Sequence, residues 1–165
     1  MLNYNQALPE DILIQDLQMK EVKPIMKLIV RGKKREFISA VGKSLNILLP
    51  TEANTSAQSD KLTAVWLSPD EWMIYSNETL DSESNDYEAE NLLNKNISKT
   101  NLGAVTDVTD QFVLINIKGD KIFDLFETGS PFNFNDLPIA DKNSLFLPLM
   151  INFIIGLISF ICKPE

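Results

Sequence analysis

The chain is 165 residues long, 44% apolar and 23% charged, the balance of a soluble globular protein of one domain or two small subdomains that needs no metal or disulfide staple. It has no histidine and one cysteine, Cys162, which excludes His-based acid–base catalysis, a Ser-His-Asp triad, a His/Cys zinc site and an internal disulfide. A net charge of -8 denies it the basic face that phosphate recognition needs, so no nucleic-acid partner is expected; the basic cluster Lys33, Lys34, Arg35 reads as a solvated turn.

Residues 1–24 carry no sustained period, and Ile12, Leu13, Ile14 and Leu17 predict either one short amphipathic turn or an arm laid on a partner. Glu10, Asp11, Asp16 and Glu21 break any apolar run there, so no secretory signal is expected, and the single cysteine fits a reducing cytoplasm. The run Ile25 to Val30 predicts a strand closed by Arg31-Gly32 and the basic turn. Phe37, Ile38, Val41, Leu45 and Leu48 fall at helical spacing, with Pro50 as the stop, and Gly42 inside this helix predicts close packing against a neighbour. Residues 51–61 read as a polar loop.

Val65 to Leu67 and Trp72 to Tyr75 are apolar runs on either side of Ser68-Pro69-Asp70, which predicts strand, tight turn, strand. Both tryptophans sit in this hairpin, as a domain core or as an interface. The acidic stretch 77–91 reads as a solvated loop in preference to a cation site, and it runs into a short helix with Leu92, Leu93 and Ile97 on one edge, ended by Gly103. Ala104 to Val108 predicts a strand. Phe112 to Ile117 predicts a strand buried on both faces, followed by a helix capped by Asp120 with Ile122, Phe123, Leu125 and Phe126 as its core face. This order of elements predicts an α+β fold, antiparallel sheets with packed helices.

Carboxylates are plentiful, but no pair is marked as catalytic. Asp107 and Asp110, three apart around a strand end, read as turn caps, with a cation or a basic ligand group as the sharper alternative. The glycines form neither a dinucleotide fingerprint nor a P-loop.

Arg31-Gly32, the helix from Phe37 through Val41-Gly42 to Leu49-Pro50, Asn54-Thr55, and Ala64-Val-Trp-Leu-Ser-Pro-Asp-Glu-Trp-Met73 together resemble the gamma subunit of heterotetrameric sarcosine oxidase. Thr106-Asp-Val-Thr-Asp-Gln111, Ile117-Lys-Gly119 and Gly129-Ser-Pro-Phe-Asn-Phe134 extend the likeness, with Ser130 where the family usually has cysteine. The resemblance covers residues 25–145. It implies a fold similar to the folate-binding domain of aminomethyltransferases, in an accessory subunit of a complex with alpha, beta and delta subunits. That complex demethylates sarcosine to glycine, passes the one-carbon unit to tetrahydrofolate and forms hydrogen peroxide. It also implies that FAD, FMN, NAD, zinc and tetrahydrofolate belong to the other subunits, and that this chain holds no catalytic, cofactor-binding or metal residue. Ser68, Pro69, Asp70 and Glu71 are then the candidate subunit-contact residues, with Trp66 and Trp72 holding the domain together. A free-standing folate-binding or aminomethyl-transfer protein, with Asp107 or Glu71 on the ligand, is the alternative.

Residues 146–165 depart from the family. The uncharged run Leu145 to Cys162 has three readings: a membrane anchor, leaving a membrane-tethered interaction domain, which Pro148, Asn152 and Gly156 weaken; a buried helix or strand pair; or a shift of reading frame near residue 146. A frame shift is the expectation carried forward, with no membrane partner.

Overall fold

The computed structural model describes residues 6–8, 10–14, 16–53, 55–77, 88–128, 149–151 and 154–156, and these fall into two compact units. The acidic run 78–87, the segment 129–148 with its Gly-Ser-Pro-Phe motif, and most of the apolar tail lie outside the described residues. The fold is α+β with antiparallel sheets.

One unit takes the described residues through Val22 together with those from Phe112 onward. Strands β1 (Ile12–Ile14) and β2 (Leu17–Glu21) form a hairpin in register Ile12↔Met19, where a turn or an arm was expected. β2 then pairs antiparallel with β8 (Ile115–Lys118), in register Gln18↔Lys118 and Glu21↔Ile115. Residues opposite one another share a face. Ile12, Ile14, Leu17, Met19, Ile115 and Ile117 therefore line one side of this sheet, and Gln18, Lys20, Asn116 and Lys118 line the other. The strand expected over 112–117 is shorter and only half-buried, because among the described residues β8 is an edge strand bonded to β2 alone. After it the chain turns at Gly119, whose φ of 137° and close approach to the Asp16 carbonyl leave no room for a Cβ. Asp120 does not cap the following helix: α3 (Ile122–Glu127) starts behind Lys121 without a side-chain cap and buries Phe126. In the tail, β9 (Leu149–Ile151) and β10 (Ile154–Gly156) pair antiparallel. Among the described residues no helix is long and apolar enough to cross a membrane.

The other unit runs from Lys23 to Gln111 and is built on a five-stranded antiparallel sheet. Its order is β4 (Ser56–Gln58), β5 (Leu62–Ser68), β6 (Glu71–Ser76), β3 (Lys27–Arg31) and β7 (Ala104–Asp107). β4 is the one element within the expected polar loop 51–61, and it serves as an edge strand. The rows Leu28↔Ile74↔Ala64 and Val30↔Trp72↔Trp66 point to a single face. There they join Phe37 and Val41 of α1 (Arg35–Leu45), and Leu93 and Ile97, in one buried cluster.

Helix α1 starts where the sequence places it but stops early. Asn46 at φ 50° takes the left-handed turn that ends the helix, so Ile47 and Leu49 turn inward and Leu48 faces solvent at 83% exposure instead of extending the core stripe. Gly42 lies close to its own following segment: an added Cβ would stand 3.2 Å from the Ile47 carbonyl. The short helix α2 (Glu88–Leu93) passes into one π-helical turn, Asn94–Ser98, closed by Lys99 N–H donating to the Asn94 carbonyl at 3.0 Å. Asn96 in that turn donates to Ser44 Oγ of α1 at 2.9 Å, a polar tie beside the Leu93 and Ile97 contacts.

Candidate functional site

The β5–β6 turn carries the four candidate contact residues, and the sheet register decides what faces them. β3 pairs with β6 so that Arg31 lies opposite Glu71, and the Gly32 amide donates to the Asp70 carbonyl at 2.9 Å. The register slips between Trp66 and Ser68, a bulge that tightens the turn. Ser68 Oγ donates to Asp70 Oδ1 at 2.9 Å, while Arg31 Nε stands 3.5 Å from Asp70 Oδ2.

The Ser68 hydroxyl, then Arg31 and Lys33, hold the Asp70 carboxyl below its ordinary value of 3.8 against an opposing push from desolvation. Asp70 is thus spent on the protein's own Arg31, with its side chain only 18% exposed. Of the four candidates, Pro69 alone is exposed, and Ser68 and Glu71 are half-buried. Arg31, Lys33, Lys34, Arg35 and Glu36 are exposed at the β3–α1 junction that the Gly32–Asp70 bond ties to this turn, a mixed surface where the sequence predicts a solvated basic turn.

The sequence also missed Lys27. Its residue is 2% exposed, and its ammonium donates to the Thr109 carbonyl at 3.0 Å and the Ile25 carbonyl at 3.3 Å. Burial pushes its pKa below 10.5, while the charges of Asp110 and Asp107 pull the other way. Asp107 Oδ1 accepts from the Thr109 amide at 2.8 Å, a turn-capping bond, and the Lys27 amide donates to Thr109 Oγ1 at 3.0 Å. Asp107 therefore caps a turn, and its charge and that of Asp110 favour the charged form of the buried Lys27. The sign of Lys27 in the sequence is its place inside the apolar run Ile-Met-Lys-Leu-Ile-Val.

The tryptophans resolve toward the core. Trp72 is 1% exposed, its Nε1–H donates to the Pro50 carbonyl at 2.7 Å, and its ring lies 5.9 Å from that of Phe37 at 31°. Trp66 sits opposite it, half-buried. Among the described residues no group of three or more His, Cys, Asp or Glu side chains is placed to hold a metal ion.

These features define an α+β protein whose charged groups secure turns and whose polar site is one end of an antiparallel sheet. No family model matches the sequence, and no curated protein matches it. Among solved structures, the fold is similar to a chain of the heterotetrameric sarcosine oxidase from Corynebacterium sp. U-96, determined in complex with pyrrole 2-carboxylate. The TM-score is 0.68 at 15% identity, over 84% of this chain and 69% of that one. At this identity the likeness is one of fold. Since 84% of 165 residues fills 69% of the neighbour, that neighbour is a chain of about 200 residues.

Proposed function

We propose that the chain is the small accessory, gamma-type subunit of a heterotetrameric sarcosine oxidase, working in the cytoplasm beside alpha, beta and delta subunits. The observation that carries this reading is the fold likeness to a chain of such an enzyme over 84% of this one. The modest length of that neighbour supports a small subunit over a large flavoprotein one. FAD, FMN, NAD, zinc and tetrahydrofolate are then held by the other subunits.

Co-expression with those subunits tests the proposal. The expected result is a single heterotetrameric peak by size exclusion that forms glycine and hydrogen peroxide from sarcosine, with flavin absorbance absent from the isolated chain. A folded chain that elutes alone in the presence of all three partners refutes it. Saturable tetrahydrofolate binding by such a lone chain would favour a free-standing folate-binding protein instead.

A further inference from the structure

The apolar side of the three-stranded sheet is unevenly covered. In β2 the alternation that places Leu17 and Met19 on that side places Glu21 there as well, opposite Ile115 of β8. Exposure falls along this side from 55% at Ile14 to 4% at Glu21, with Leu17, Met19, Ile115 and Ile117 half-buried between them. The end that holds a carboxylate is thus the buried end. Taking a carboxylate out of water is costly unless donors meet it, and the Leu8 amide is one that does, donating to Glu21 Oε2 at 2.7 Å.

That bond turns the chain back on itself. In the β1–β2 register Ile12 lies opposite Met19, so an unbent chain would run on past Glu21 along the strand edge. Instead the chain bends at Ala7, Leu8 and Glu10, and Leu8 meets Glu21 half-buried while Gln6 and Ala7 stay exposed. The seat is firm: the Val22 amide donates to the Leu114 carbonyl at 2.8 Å, which continues the β2–β8 pairing beyond Glu21. The segment seated on it is not. Residues 6–8 belong to no strand or helix, and the tie at their root, the Lys20–Asp11 ion pair at 3.3 Å, is exposed and worth little. A segment with so few contacts opens far below the cost of global unfolding.

We propose that residues 6–8 are a strap latched by Glu21, which closes the Glu21 end of this apolar side when bound and bares the side from Ile14 to Ile115 when released. Charge sets the latch: a hydrogen bond to a carboxylate is about twice as strong as one between neutral groups, and its donor is a backbone amide that no side-chain rotamer can carry away. One arm of the N-terminal segment thus lies on its own chain, whether or not that chain is a subunit.

Amide exchange and dye binding test it on the full chain at neutral pH. In the parent the Leu8 amide is expected to exchange about 10- to 100-fold more slowly than in a free peptide of the same sequence, the factor that a hydrogen bond to a charged group supplies. Glu21→Gln keeps the shape and loses the charge; it is expected to cut that protection by about tenfold and to raise the fluorescence of anilinonaphthalene sulfonate, which reports bared apolar surface. Leu8→Pro removes the donor, leaves the Glu21 carboxylate and its other contacts in place, and is expected to raise the dye signal to the same extent. It carries the test alone if circular dichroism shows Glu21→Gln unfolded. An unprotected Leu8 amide in the parent, or undiminished protection in Glu21→Gln, overturns the latch. A dye signal raised by Glu21→Gln alone also overturns it and makes Glu21 a packing residue acting through its other contacts. Dye binding at the parent level in both folded variants overturns the strap as a cover.

Discussion

Replacing Trp72 by alanine separates a core residue from an interface residue. Its side chain is 1% exposed, within the cluster that includes Val30, Phe37 and Val41. Removing a buried indole of roughly 150–250 Å² at about 25 cal/mol per Å² forfeits about 4–6 kcal/mol as an upper figure. Measured Trp→Ala costs of about 3–5 kcal/mol agree with that, and the Pro50 carbonyl also loses its donor. In a chain of 165 residues the loss lowers Tm by about 6 to 20 °C. Urea titration followed by the fluorescence of Trp66 reads the change directly. The expected result is a lower midpoint at unchanged slope. Trp66→Ala is the control: half-buried across the strand, it should cost about 1–2 kcal/mol. A Trp72→Ala protein within about 1 kcal/mol of the parent would refute the packing account.

Three further outcomes follow from the same contacts. Gly103→Ala should destabilise by about 1–3 kcal/mol in a thermal melt, since an added Cβ meets the Arg31 carbonyl and the Phe37 ring; an unchanged Tm would contradict this. Lys27 has a folded pKa below its unfolded 10.5, so the unfolded chain binds more protons between the two values and stability rises with pH across that window; Lys27→Met should lack this gain in urea melts taken from neutral to alkaline pH. Asp70 has a folded pKa below 3.8, so its contribution is complete above that value and is lost as pH falls through the folded pKa; the stability gap between the parent and Asp70→Asn should close in acid.

What the sequence made legible was local. The tryptophan hairpin is found because two apolar runs flank Ser-Pro-Asp, and the start of α1 because Phe37 and Val41 repeat at helical spacing. The end of α1 was misread because Asn46 stops it through backbone conformation, before the proline is reached. β1 and β2 were invisible as strands: three and five residues hold too little period, and their third strand lies about a hundred positions away. The candidate site shows the same split. The turn Ser68 to Glu71 was found, yet the engagement of Asp70 with Arg31 follows from the pairing of β3 with β6, which no local pattern encodes. Lys27 needed the fold as well, since Thr109 reaches it from the far end of β7.

The pairing of Gln18 with Lys118 also bears on how the protein is made. Synthesis runs from the N-terminus at about 5–20 residues per second, so β2 waits roughly 5–20 s for β8 to emerge. The continuous segment Lys23–Gln111, with every strand of its own sheet, is complete before then. During synthesis the Lys23–Gln111 segment therefore has its whole sheet available before β8 is made, while the β1–β2 hairpin lacks its third strand until then.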